Sequence, residues 1–87
     1  MSSINLEIDA AAVLMKAQAA RHNETKTMDG VTFSHLLCRA DYHTGMLRYA
    51  LDDAHARRHL IAALNYHALA LSLVPAELAA RCEKEHG

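Results

Sequence analysis

Residues 53–74, DAHARRHLIAALNYHALALSLV, form the densest apolar stretch of the chain, and their reading decides the fold. Wound as a helix, the stretch carries Leu60, Ile61, Leu64, Ala68 and Leu71 on one face. Ala62, Ala63, Tyr66, Leu69 and Leu73 cover much of the rest. A helix apolar nearly all round has to be covered nearly all round. Arg58, Asn65 and Ser72, spaced by seven, leave one narrow polar seam. Two faces therefore need partners, and the chain clearly supplies only one of them. The run from Leu60 to Val74 is too short for a membrane span and is interrupted by Asn65, His67 and Ser72, so it reads as a core helix, with no membrane partner expected.

The rest of the chain is arranged around this helix. Val74-Pro75 closes it, because proline lacks an amide donor and pushes the residue before it out of helical geometry. Pro75 then suits the first turn of a last helix, with Glu77 beside it. On the other side, Asp52 and Asp53 resemble an N-cap and a first-turn acid and place a turn near residues 52–56. A second helix precedes that turn, capped by Thr32 or Ser34, with Phe33, Leu36, Leu37, Ala40, Leu47, Ala50 and Leu51 at helical spacing. Gly45 interrupts it at a cost of about 1 kcal/mol relative to alanine, and a continuous helix is the preferred reading. The polar segment NETKTMDG, 23–30, is a loop ending in an Asp-Gly turn. Ahead of it, Ser2, Ser3 and Asn5 offer caps to a first helix whose apolar stripe is Leu6, Ala10, Val13, Leu14 and Ala17.

The expected class is all-α: a bundle of about four helices, at approximately 5–21, 33–51, 55–74 and 75–85, in a single domain spanning 1–87. Composition agrees. The chain is 52% hydrophobic but only 5% aromatic, and about one residue in five is alanine, which favours close-packed helices over sheets. A domain of 87 residues buries only about 60–65% of its unfolded surface, so completion by homodimerisation is expected. The dimer surface is read as Leu60, Leu64, Tyr66, Leu69, Leu71 and Leu73.

Nine basic and ten acidic residues give a net charge of −1, which argues against affinity built on a phosphate backbone. Arg48, Arg57 and Arg58 are the one candidate nucleic-acid surface, but the helix after Gly45 grows too apolar to serve as a reading helix. Two cysteines without a signal-like N-terminal pattern lead us to expect reduced thiols and a cytoplasmic location.

Histidine is the compositional outlier, with seven copies. His55 and His59, at i and i+4, share a helix face, the spacing at which two imidazoles grip one zinc ion. His35 with Cys38, and Cys82 with His86, are further pairs that could complete a tetrahedron. The residues between His55 and His59 are Ala56, Arg57 and Arg58, so a hydrolytic HExxH motif is absent and adjacent cations oppose a metal. Solvated imidazoles and buried thiols are the ordinary reading of all these residues, with His22, His43 and His86 taken as surface groups. A pH-sensing role for His55, His59 and His67 at a subunit interface is a further possibility.

No nucleophile, base or carboxylate pair is ordered for catalysis, and no cofactor motif is present, so the expectation is a non-enzymatic protein with no cofactor. The leading functional reading is a small self-associating module, a regulator, adaptor or inhibitor, that binds another protein. Tyr42, Arg48 and Tyr49 are its candidate anchors, because tyrosine and arginine are enriched at binding hot spots. A zinc protein and a helix-turn-helix regulator are the alternatives.

Overall fold

Two side-chain caps set the helix starts that the turn residues anticipate. In the computed structural model, which describes residues 3–23 and 26–74, the Asp52 carboxylate accepts the His55 amide at 2.8 Å and starts α3, Asp53–Ser72. The Thr32 hydroxyl accepts the His35 amide at 3.2 Å and starts α2, Phe33–Met46. Ser3 does the same for the Leu6 amide at the head of α1, Ile4–Asn23. Each cap satisfies a donor that the helix itself cannot. Between α1 and α2, the Val31 amide donates to Met28, closing a turn whose Gly30 stands at φ 75°, a conformation that costs glycine little and other residues more.

The result is an all-α domain of three packed helices, with no strand among the described residues. None of these helices is long and apolar enough to cross a membrane. The expected fourth helix, 75–85, lies outside the described residues. The expected second helix is shortened. It runs through Gly45 but ends at Met46, and Leu47–Tyr49 tighten into one 3-10 turn before Ala50 and Asp52 extend. The chain must reverse to lay α3 back along α2, and the Asp52 cap requires non-helical backbone just where the apolar periodicity would have carried the helix onward.

The central helix α3 packs against both neighbours, while the backbones of α1 and α2 nowhere approach within 8 Å, Cα to Cα. On the α2 side the contact is close because most of the buried residues are small: Ala40 of α2 and Ala63 and Ala70 of α3 are buried, with Leu36 the one larger buried side chain of α2. On the α1 side the contact is polar. Gln18 of α1, itself buried, donates from Nε2 to the Arg58 carbonyl at 3.0 Å, and Asn65 of α3 donates from Nδ2 to the Met15 carbonyl at 3.0 Å. Each helix thus reaches into the other's backbone, using the second lone pair of a carbonyl. Within the polar seam of α3, the Asn65 side chain and the Arg58 carbonyl are where α1 docks, while the Arg58 and Ser72 side chains stay exposed.

This docking corrects two expectations. The stripe Leu6, Val13 and Leu14 of α1 faces solvent, at 62%, 68% and 44% exposure, while Ala11, Ala12, Met15, Gln18 and Ala19 turn inward. On α3, of the face expected to pack first, only Ile61 is buried; Leu60, Leu64 and Leu71 are exposed. Alanine spacing and the two amide bonds, rather than the largest side chains, choose which surfaces meet. Deep apolar contacts are few, so single contacts should weigh heavily on stability. Asp52→Ala is expected to cost about 1 kcal/mol and to lower the melting temperature by roughly 4–8 °C in a circular-dichroism melt. Asn65→Ala should cost a similar amount.

Candidate functional site

Three imidazoles from two helices join in one hydrogen-bonded chain. The i, i+4 spacing on α3 brings His59 Nε2 to 3.1 Å from His55 Nε2, with ring centroids 4.8 Å apart. The second nitrogen of His59, Nδ1, lies 2.9 Å from Nδ1 of His43 on α2. At the other end, the Leu51 amide donates to His55 Nδ1 at 3.1 Å.

That last bond orients the whole row. A backbone amide can only donate, so His55 Nδ1 is an acceptor and a neutral His55 carries its proton on Nε2. His55 then donates to His59 Nε2, His59 donates from Nδ1, and His43 accepts at Nδ1. The chain ends in the Nε2–H of His43, a donor with no acceptor assigned by this row.

Aromatic contacts hold His43 in place. Its ring stacks on Tyr66 of α3 at 5.6 Å and 13°, and meets Tyr42 edge-on at 5.1 Å. The Arg39 guanidinium lies over both tyrosines, 5.3 Å from Tyr42 and 5.8 Å from Tyr66. Burial, then the neighbouring His59 and Arg39, hold the His43 pKa below the ordinary imidazole value of 6.5. A neutral His43 is what the row requires of its last member, whose Nδ1 accepts from His59.

The imidazoles open on a cleft of about 520 Å³ that exists because α1 and α2 stand apart. Its floor is α3, through Ala62, Asn65, Tyr66 and Leu69; its walls are Gln18 and Ala19 of α1 and His43 of α2. Lys26, from the segment after α1, and Arg58 add two cations, and none of the described lining residues is acidic. A further space of about 440 Å³ continues past Leu69 to Met28, Val31 and Leu36.

The residues singled out from the sequence are distributed as follows. His55 and His59 stand together as the spacing requires, and bond to each other rather than pointing jointly at a vacant position. His35 and Cys38 are exposed on α2, Cys38 as a free thiol, whereas Cys82 and His86 lie outside the described residues. Among the described residues no group of three histidine, cysteine, aspartate or glutamate side chains is placed to hold a metal ion. His67 is exposed, and the third partner of His55 and His59 is His43, which reads from sequence as a surface residue. Sixteen residues separate His43 from His59, so no local spacing could have paired them.

The six expected interface residues divide between two surfaces. Leu60, Leu64 and Leu71 form an exposed outer stripe; Tyr66 and Leu69 line the cleft; Leu73 is partly exposed near the C-terminal end of α3. Tyr42, Arg48 and Tyr49 are all exposed, Tyr42 beneath Arg39 and the other two on the 3-10 turn. No family model, curated protein or solved structure matches the chain.

Two measurements test the row. Nitrogen-15 spectra of the imidazoles at pH 7.5 should place the proton on Nδ1 in His59 and on Nε2 in His55 and His43; a His59 protonated on Nε2 would show that the row does not exist. Because the folded His43 pKa is lowered, the unfolded chain takes up its proton first, and stability should fall as pH drops below about 6.5. His43→Gln should flatten that acid limb in urea melts at stepped pH.

Proposed function

We propose that this protein is a small, non-enzymatic interaction module that acts as a homo-oligomer, with a dimer as the expected state. One observation carries the reading: two separate rows of large apolar side chains stand in solvent. One is Leu6, Val13 and Leu14 on α1; the other is Leu60, Leu64 and Leu71 on α3. Contiguous exposed apolar rows of this kind mark association surfaces in soluble proteins. Leu60, Leu64 and Leu71 recur at helical spacing, which suits a helix-on-helix contact with a second copy related by two-fold symmetry.

A second copy is the favoured first occupant because a domain this small, whose deepest apolar contacts are largely alanine, gains stability from every added contact. The exposed Tyr42, Arg48 and Tyr49 lie on α2 and the 3-10 turn, away from the α3 leucine row, and supply a place for a different protein to bind once the dimer forms. This protein partner would be met by aromatic and guanidinium groups on a cytoplasmic regulator, adaptor or inhibitor.

Sedimentation equilibrium at micromolar concentration should return twice the chain mass of 9.6 kDa. Leu64→Glu, which puts a charge in the middle of the α3 row, should shift the protein to monomer while keeping its helical spectrum. A wild-type monomer at 100 µM would rule the self-association out, since a useful dimer forms well below a Kd of about 100 µM, or roughly 5.5 kcal/mol.

A further inference from the structure

The cleft between α1 and α2 lies on the side of α3 opposite the exposed leucine row, so what it does is separable from self-association. Its imidazoles and cations are unevenly spread along it. At one end stand His43, His55, His59, Arg58 and Lys26, with no carboxylate among the described lining residues. Beyond Leu69 the continuing space is walled mainly by Met28, Val31, Leu36 and Ala68, together with Lys26, Thr27 and His35. We infer that this groove binds a small amphiphilic anion, its carboxylate or phosphate head among the imidazoles, Lys26 and Arg58, and its aliphatic body along Leu69 toward Met28 and Val31.

Three features support this choice of ligand. The first section alone has the volume of a small-molecule site, typically about 300–1,000 Å³. The oriented imidazole row ends in a solvent-accessible N–H donor on His43, a residue of the cleft wall, and an oxyanion is a ligand that can accept it. The same row would be disfavoured by a cation, which would meet Lys26, Arg58 and, across the tyrosines, Arg39.

Binding is coupled to protons. The groups facing His43 are His59 and Tyr66 from α3 and Arg39 and Tyr42 from its own helix; Lys26 and Arg58 share its cleft, none of whose described lining residues is acidic, and the Asp52 carboxylate is engaged with the His55 amide. Burial, then His59 and Arg39, hold the His43 pKa below its ordinary value when the groove is empty. An anion beside His43 favours its charged form, so a proton joins His43 at Nδ1 in place of the bond from His59 as the anion binds, and affinity rises as pH falls.

The test is calorimetric titration of the full chain with acetate, hexanoate, octanoate and inorganic phosphate, with octylammonium as the cationic control. Octanoate should bind saturably and octylammonium should not. Each methylene buried along Leu69 should tighten binding by up to about fourfold, so octanoate should exceed acetate by well over tenfold. Octanoate affinity should fall about tenfold between pH 6 and 8, with net proton uptake seen by comparing buffers of different ionisation enthalpy. Lys26→Ser and Arg58→Ser, both at exposed positions and safe for folding, should each weaken octanoate about threefold to fivefold. Leu64→Glu, on the opposite face, should leave it unchanged.

Phosphate binding as tightly as octanoate would refute the aliphatic half of the site. Equal binding of octanoate and octylammonium would mean bare hydrophobic adsorption and would overturn the whole assignment. So would the absence of any saturable heat up to about 10 mM, beyond the millimolar range of a weak site. A monomeric protein that still binds octanoate would refute the self-association reading and leave this one standing.

Discussion

One helix has to serve two neighbours that do not meet. Because the α1 and α2 backbones each come close to α3 and not to each other, the long-range packing of the three α-helices runs through it. A helix offers a limited arc to each partner, and α3 divides its arc by chemistry: alanines toward α2, a polar seam toward α1, leucines outward. Small residues let the α2 backbone come close, which gains dispersion contacts without large side chains. The amides of Gln18 and Asn65 hold α1 at the other flank and keep it away from α2. The cleft follows directly from that separation.

The close approach of α2 also explains the imidazole row. His43 reaches His59 because Ala40, on the same side of α2 and one turn earlier, is small enough to be completely buried. Once there, His43 is held by Tyr66 below and Tyr42 at its edge, and Arg39 covers both tyrosines. Burial, with His59 and Arg39 nearby, favours a neutral His43, and a neutral ring there is what lets His43 accept from His59. Packing, electrostatics and hydrogen-bond direction are consistent with one another at this site, whose polarity is set by a single backbone amide, that of Leu51.

The two proposed roles use different surfaces of the same helix. The leucine row looks outward and the groove lies behind it. Any coupling between association and ligand binding would have to pass through α3 itself, in which Ile61, Ala63 and Ala70 are the tightly held residues.

Local signals carried much of this architecture on their own. Asp52 and Thr32 announced helix starts, because a short oxygen-bearing side chain before an apolar run has one favourable use there. Asp29-Gly30 announced the turn, and the spacing of His55 and His59 placed them on one face. Composition was enough for the all-α class. Tertiary structure alone decided which apolar faces were covered, since Leu6, Val13 and Leu14 satisfy helical periodicity as well as Ala11 and Met15 do. It also decided that Asn65 would be a clamp rather than a solvated residue, and that His43 would join a row sixteen positions away. Caps, turns and periodicity act within a few residues and are written in the chain. Which faces meet depends on the total fit of several helices at once, and no short stretch of sequence contains that sum.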